Sequence, residues 1–396
     1  MRARFHGHRH RAASAACFLL IATACGGGET SVSEPGFSAP STTAGAGGGA
    51  TGGASGSPAA AATLSLAERA ARVGPGGFTF AVVGDFYSDD PDDGAYVEDA
   101  IETRDDIIAS GADFVIGLGD YDYADSTVEG FLEMIAPLEE QAVIFPAFGN
   151  HDGISEGEIS APRKYAALRD HFQVDEFYSF DVGPLHFISI NSEYPEGSEH
   201  FAEQLEFVQR DLDAAFTDPT VRWIIPYFHR AMVNPLSTSG PDPTLHNVLY
   251  PIVDGYQEKI PIAFQAHHHI YVRTHAVRYS DRPDLVMCPD DSATSSCVRL
   301  PTIADDGGTG EVQTYSGAAG IIFATVGTGG AFATGRTPDS DYIVIRHKPV
   351  SITDEDDPDA NTFGFLAITL DDDLETLTAE FRANNGEVLD RFVITP

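Results

Sequence analysis

Short β-rich runs alternate with amphipathic helical stretches along most of the chain. Strand patterns at 78–84, 113–118 and 142–148 are separated by helical spacing of apolar positions at 95–110 and 128–140. Alternation of this kind predicts parallel strands joined by right-handed crossover helices. The first part of the folded region is therefore expected to be of the α/β class.

The pattern continues with a hairpin and more helix, and it ends in strands. Further helices are predicted at 161–171, 201–216 and 245–255, and further strands at 178–181, 185–191, 221–228, 260–265 and 271–277. The last strands are predicted at 321–326, 341–346, 363–370, 374–383 and 388–394. We expect these last strands to form an antiparallel sheet that closes a single domain of residues 63–396.

Residues 1–24 have the features of a secretory signal. Arginines within residues 2–11 precede a small, apolar stretch at 12–24, which is too short to span a membrane. The stretch ends in Ile-Ala-Thr-Ala-Cys-Gly-Gly-Gly and resembles a bacterial lipoprotein cleavage site. Cys25 would then carry a lipid and become the mature N-terminus, and a plain cleaved signal is the alternative.

The segment 25–62 is of low complexity, because nearly all of its residues are glycine, alanine, serine or threonine. Such a composition buries too little apolar surface to fold, and it predicts a flexible tether. We therefore expect an exported protein that is lipid-anchored to a bacterial membrane, on its periplasmic or cell-surface face.

The cysteines agree with export. Cys17 lies in the predicted signal and Cys25 is the anchor candidate, which leaves Cys288 and Cys297. A disulfide between Cys288 and Cys297 fits an oxidising location. Zinc binding by this pair is less favoured, because no further cysteine accompanies them.

A large excess of acidic residues limits the kinds of partner. The chain has 23 Lys and Arg against 60 Asp and Glu, so its net charge is −37. This charge disfavours a sequence-independent electrostatic interaction with nucleic acid or with anionic lipid head groups. We expect no nucleic-acid partner, and contact with a membrane only through a lipid on Cys25.

Oxygen and imidazole donors follow five of the predicted strands. They occur in the runs Gly84-Asp85-Phe86-Tyr87, Gly119-Asp120-Tyr121-Asp122-Tyr123, Gly149-Asn150-His151-Asp152, His229-Arg230 and Ala266-His267-His268-His269. A single Asp after a strand is commonly a helix cap or a turn residue, but five such runs are not explained in that way. Ligands of open α/β sheets bind beyond the carboxyl ends of the strands. These donors suit iron, zinc or manganese, and their number exceeds what one zinc uses, which predicts two metal ions.

The same runs resemble the motifs of the calcineurin-like metallophosphoesterase superfamily and, within it, of the purple acid phosphatases. The family's blocks read approximately GDxG, GDxxY, GNH followed by an acid, a lone His, and GHxH. Tyr123 is the discriminating residue, because most of the superfamily has a histidine in the first block, whereas the purple enzymes use the tyrosine of the second. The resemblance covers about residues 78–394. It implies a single catalytic domain of the α/β class, built as a sandwich of two mixed β-sheets flanked by helices.

The resemblance also implies which residues hold the metals. Fe(III) would be bound by Asp85, Asp120, Tyr123 and His269, and a divalent Fe, Zn or Mn ion by Asn150, His229, His267 and a shared oxygen of Asp120. Two such ions bind phosphate oxygens and lower the pKa of a bound water, whose hydroxide attacks phosphorus. His151 is outside this ligand set and is the expected catalytic residue, contacting phosphate or protonating the leaving group.

Some positions depart from the family pattern and leave alternatives open. Tyr87 stands where the family has glycine, so it either forms a pocket wall or competes with Tyr123. His268 is an additional histidine that is either exposed or behind the ligands. His246 lies either on the substrate side or on a helix surface. The pair of histidines that some relatives have just after the lone His is absent, so the general acid is not identified. His186, inside a predicted strand, is interpreted as a core histidine.

The function implied is an exported phosphatase with a binuclear metal site that hydrolyses phosphate monoesters of small molecules. A phosphodiesterase or nucleotidase with the same metal site is the first alternative. A surface binding protein on a degenerate scaffold is the second, and it is disfavoured because every ligand position carries a ligating residue.

Overall fold

The helices and strands follow the predicted alternation. The helices are α1 (Leu66–Ala70), α2 (Tyr96–Ser110), α3 (Glu129–Glu139), α4 (Pro162–Phe172), α5 (Glu199–Thr217) and α6 (Tyr250–Asp254), with a π-helical turn at Leu245–Leu249. The first strands are β1 (Phe78–Val83), β2 (Phe114–Gly117), β3 (Val143–Pro146), β4 (Tyr178–Val182), β5 (Leu185–Ser189), β6 (Trp223–Tyr227), β7 (Ile262–Gln265) and β8 (Tyr271–Arg278). They are followed by β9 (Val286–Met287), β10 (Val298–Arg299), β11 (Thr302–Asp305), β12 (Gln313–Ser316), β13 (Ile321–Val326), β14 (Ile343–His347), β15 (Gly364–Leu370), β16 (Leu377–Ala383) and β17 (Val388–Thr395).

The structure is a computed structural model, and it describes ten stretches of the chain. These are residues 65–74, 76–86, 96–123, 128–155, 157–234, 241–280, 286–287, 298–331, 340–347 and 363–396. Residues 60–396 form one compact unit, and residues 1–59 lie outside the described stretches. The predicted signal (1–24) and tether (25–62), Cys25, Tyr87 and the pair Cys288 and Cys297 also lie outside them. Among the described helices, none combines the length and the apolar character that crossing a membrane requires.

Two mixed sheets form the body of the domain, and β9 and β10 pair as a separate two-stranded sheet. The first sheet has the strand order β12-β17-β16-β15-β1-β2-β3, and β1, β2 and β3 run parallel. The second sheet has the order β11-β8-β13-β7-β6-β5-β4, with β14 paired to β8, and β5, β6, β7 and β13 run parallel. The predicted sandwich of two mixed β-sheets is confirmed.

Aromatic side chains fill the space between the sheets. The rings of Phe80 and Phe114 stack at 4.9 Å in the first sheet, and Phe187 of the second sheet meets both edge-on at 5.4 and 5.6 Å. Phe264 approaches Phe80 from the second sheet at 6.1 Å. Strands β1 and β13 are almost entirely buried, as expected for central strands covered on both faces.

A buried ion pair connects the sheets on the side of the last strands. Arg273 of β8 donates from Nε and Nη2 to the carboxylate of Asp390 on β17, at 2.6 and 2.9 Å. Nη1 of Arg273 donates to the hydroxyl of Tyr315 on β12, and Tyr271 donates to Asp390 at 2.7 Å. This network links a strand of the second sheet to two strands of the first.

The final strands differ from the expected single antiparallel sheet. β15, β16 and β17 form antiparallel pairs that continue the first sheet from β1, as predicted. β13 instead lies between β7 and β8 of the second sheet, parallel to β7, and β14 pairs with β8. The prediction was therefore wrong for β13 and β14. All six residues of β13 are buried, which is typical of a central strand rather than of a closing edge.

Candidate metal centre

The predicted ligands come together where parallel strands of both sheets end. Asp85 follows β1, the pair Asp120 and Tyr123 follows β2, and Asn150 follows β3. From the second sheet, His229 follows β6, and His267 and His269 follow β7. Because parallel strands have their carboxyl ends on one edge, two such edges facing each other bring five loops to one place.

Three side chains form the first cluster. The hydroxyl of Tyr123 lies 2.9 Å from Oδ1 of Asp85 and 2.8 Å from Nε2 of His269. Nε2 of His269 lies 3.4 Å from the same Asp85 oxygen. These three side chains are, together with Asp120, the ligands expected for the ferric ion.

Four side chains form the second cluster around one imidazole nitrogen. Nε2 of His229 lies 3.2 Å from each of Oδ2 of Asp120, Oδ1 of Asn150 and Nδ1 of His267. Ligand atoms of Asp120, His229 and His267 all lie within 4.8 Å of one another. Oδ2 of Asp120 is also 3.5 Å from the Tyr123 hydroxyl, so this oxygen stands between the clusters.

The chemistry of the second cluster fits a cation. Nδ1 of His229 lies 2.9 Å from the carbonyl oxygen of Leu118, an arrangement that directs Nε2 at the other three groups. The carboxylate oxygen of Asp120 and the amide oxygen of Asn150 can only accept hydrogen bonds, and Nδ1 of His267 can also accept one. These electron-rich atoms surround Nε2 of His229, so a positive charge at their centre stabilises the arrangement. Either a proton on Nε2 or a metal ion supplies that charge.

The pKa shifts of His229 and His267 agree with this requirement for a positive charge. Burial opposes protonation of His229, but the charge of Asp120 outweighs burial and raises the pKa of His229 to about 10. Burial, followed by the charges of His229 and Arg230, lowers the pKa of His267 to about 2, so this ring is neutral and able to bind a metal. A metal ion at this cluster would take the place of the proton on Nε2 of His229.

The first cluster needs still more positive charge. Burial and then the carboxylates of Asp85 and Asp120 raise the pKa of Tyr123 well above its usual value. A phenolate is stable in these surroundings only beside a strongly charged cation. With the nearby carboxylate of Asp120, this cluster offers two carboxylates, a phenol and an imidazole, all of which can bind a metal cation.

Three of the proposed ligands have an unusual backbone conformation. Asp85, Asp120 and His267 have φ values of 51°, 55° and 69°, in the left-handed region that side chains with a Cβ disfavour. Hydrogen bonds hold these turns: the Asp85 N–H donates to the carbonyl oxygen of Gly119, and the His267 N–H donates to Oδ2 of Asp85. Strain of this kind clusters at functional sites.

Asp152 supports the ligand loops from behind. Its fully buried carboxylate accepts hydrogen bonds from the backbone N–H groups of Asp120, Tyr121 and Gly149 at 2.7 to 2.9 Å. One side chain thus ties the loop after β2 to the loop after β3. This explains the acid that follows Asn150 and His151 in the sequence.

The histidines outside the ligand set occupy different positions. His151 is exposed, with its ring 4.4 Å from that of Tyr123, and its backbone N–H donates to Oδ1 of Asp120. His268 is buried beside His267, so the exposed alternative for it was wrong. His246 is buried in the π-helical turn, with Nδ1 2.8 Å from the carbonyl oxygen of Met232, so it does not lie on a helix surface.

One charged pair beside the ligands was not predicted as part of the site. Glu193 follows β5, and both its oxygens accept from Arg230, at 2.7 Å from Nε and 2.8 Å from Nη2. The rule that located the ligands, polar residues after strand ends, also applies to Glu193. It was missed because β4 and β5 were interpreted only as a hairpin, whereas β5 also pairs parallel to β6.

The fold and the convergent donors define a two-layer α/β domain with a candidate binuclear metal centre at the carboxyl ends of its strands. The family model for calcineurin-like phosphoesterases matches residues 78–271, a range that contains all seven predicted ligands. This part of the chain therefore belongs to the calcineurin-like phosphoesterases.

Solved structures with the same fold include an enzyme and an anchor protein. Purple acid phosphatase PPD1 from yellow lupin (Lupinus luteus) seeds is 20% identical, with 81% of this chain and 54% of that chain covered and a TM-score of 0.56. GAP50, the anchor in the inner membrane complex of Plasmodium, is 12% identical, with 80% of this chain and 88% of that chain covered and a TM-score of 0.52. The chain thus spans about half the length of the lupin protein. No curated protein sequence matches it.

Proposed function

We propose that this phosphoesterase hydrolyses phosphate monoesters of small molecules at a binuclear centre of Fe(III) and a divalent Fe, Zn or Mn ion. The observation that carries the proposal is the pair of clusters with Oδ2 of Asp120 between them, at 3.2 Å from His229 and 3.5 Å from Tyr123. Shared carboxylate oxygens are suited to two neighbouring ions. When bound, such ions act as Lewis acids and lower the pKa of water.

Within the proposed site each residue has a distinct task. Asp85, Tyr123 and His269 hold the trivalent ion, Asn150, His229 and His267 hold the divalent ion, and Asp120 is shared by both. The exposed ring of His151 stands at the rim, where it can contact the phosphate or give a proton to the leaving alkoxide. The buried floor of Asp85, Asp120 and His229 excludes bulk water from the ligand atoms.

The tyrosine gives the most direct test. We expect purified protein to contain two metals per chain including iron, with a visible charge-transfer band that disappears in Tyr123→Phe. The matched control is Tyr165→Phe, because the ring of Tyr165 packs 5.2 Å from that of Phe148 and lies outside the ligand set. Two colourless divalent metals in the wild type would contradict the ferric site and leave a phosphoesterase with another metal pair.

Catalytic activity is tested separately from the visible charge-transfer band. Asp120→Asn should abolish hydrolysis of p-nitrophenyl phosphate while the circular dichroism spectrum is retained. Faster hydrolysis of bis-p-nitrophenyl phosphate than of the monoester would favour the diesterase alternative. Full metal loading without hydrolysis of either compound would favour a binding role, as the anchor function of GAP50 on the same fold illustrates.

Export and anchoring are part of the proposal and rest on the sequence alone. Residues 1–24 would be removed, Cys25 would carry the lipid, residues 25–62 would act as the tether, and Cys288 would pair with Cys297. Intact mass and detergent partitioning of the full chain and of Cys25→Ala test the anchor. A wild-type protein that partitions into water would contradict it.

A further inference from the structure

Arg230 and Glu193 lie along the same sheet edge as the proposed metal ligands. In the second sheet β6 lies between β5 and β7. The loops that follow these strands therefore come in the spatial order Glu193, then His229 with Arg230, then His267. Neighbouring strands are about 4.8 Å apart, so Arg230 is within one or two strand spacings of His267.

The guanidinium is held in a fixed orientation. Glu193, whose side chain is completely buried, accepts from Nε and Nη2 of Arg230. Such a bidentate pair fixes the plane of the guanidinium. The backbone N–H of Arg230 donates to the hydroxyl of Ser192 at 2.9 Å, which fixes the main chain at this position. Among the described residues, the side-chain hydrogen bonds of Arg230 run from Nε and Nη2 to Glu193, and 20% of the arginine side chain is exposed. The charge of Asp242 also acts on the guanidinium.

This arrangement is costly if its role is only structural. A buried carboxylate loses its hydration, and the ion pair recovers that loss only partly, so apolar residues of similar size stabilise a fold equally well. The chain has just 23 Lys and Arg residues, yet one of them stands beside a site rich in carboxylates. A preoriented cation is the standard means of recognising a phosphate.

We propose that Arg230 is a substrate-binding residue whose Nη1 donates to a non-bridging phosphate oxygen, with Glu193 as the residue that positions it. This inference rests on the proposed phosphatase function. Arg230 supplies a fixed positive charge for the phosphate, in addition to the metals, on the side of β5 and β6.

Inorganic phosphate, the product of the proposed reaction, is the probe. Calorimetric titration of the metal-loaded wild type is compared with Arg230→Gln, for which the Kd should rise about tenfold or more. KM for p-nitrophenyl phosphate should rise to a similar extent, and metal content should stay at the wild-type value. Arg278→Gln is the control, because it breaks the bidentate pair with Asp254 at the far end of β8, about 24 Å along the strand from Tyr271.

The double variant Glu193→Gln with Arg230→Gln removes the risk that a lone buried carboxylate causes the effect. The Kd of the double variant for phosphate should also be raised. Wild-type affinity for phosphate in Arg230→Gln or in the double variant would overturn this inference and leave the proposed phosphatase function unaffected. A wild type that loads two metals but neither binds phosphate nor hydrolyses the ester would overturn the proposed function and this inference with it.

Discussion

His186 gives a prediction about stability that is independent of the metal site. Its Nδ1 lies 2.7 Å from Asp181 and its Nε2 lies 2.9 Å from Asp211, and the ring is buried, as expected for a core histidine. Burial opposes protonation, but hydrogen bonds to both carboxylates outweigh it and raise the pKa of His186 from 6.5 to about 9. The folded protein thus holds this proton more tightly than the unfolded chain does.

The magnitude follows from linkage. A pKa that rises from 6.5 to about 9 on folding is worth about 3 kcal/mol, because each unit corresponds to about 1.4 kcal/mol. Asp181 is 64% exposed and its contribution is screened, which reduces the expected value to about 2 kcal/mol. Since the folded-state pKa is the higher one, this stabilisation is complete below pH 6.5 and is lost as the pH rises through about 9.

Urea denaturation of the wild type and of His186→Gln, with EDTA present throughout, measures the effect. The difference in unfolding free energy between the two proteins should shrink by about 2 kcal/mol from pH 6 to pH 10, because other groups titrate equally in both. His171→Gln is the control, since its pair with Glu139 is about 30% exposed on each side and is worth at most about 1 kcal/mol. A difference that stays constant from pH 6 to pH 10 would refute the reasoning.

Three further substitutions test the packing that supports the site. Asp390→Asn should lower the unfolding free energy by about 3 kcal/mol in urea titrations, because it leaves the buried guanidinium of Arg273 without its charge partner. Asp152→Asn should weaken metal binding about 10- to 100-fold in chelator competition, because an amide cannot accept from all three backbone N–H groups. Gly149→Ala should also weaken metal binding, since a Cβ there would overlap the carboxylate of Asp120, whereas Gly74→Ala, in open space, should bind metal normally.

The sequence carried enough information to locate the parallel strands and the residues after them. The runs that became β1, β2 and β3 are almost continuously apolar, and buried parallel strands leave that signature in a chain. Because ligands gather beyond such strand ends, the positions of Asp85, Asp120 and His229 could be read from the pattern.

Other features depend on contacts between distant parts of the chain. The assignment of β13 to the second sheet is decided by its pairing with β7 and β8, and its local pattern fits either sheet. Strands β11 and β12 are short and have exposed positions, so their periodicity is weak. The bond from Arg273 to Asp390 joins residues 117 positions apart, and no local motif indicates it.

The left-handed conformations of Asp85, Asp120 and His267 also bear on how the protein becomes active. These turns are fixed by hydrogen bonds of the fold itself, so the cost of the disfavoured conformation is met by the folding of the chain rather than by metal binding. A site whose turns form together with the fold is preorganised for its ions. Its donors would then need no backbone rearrangement when an ion binds.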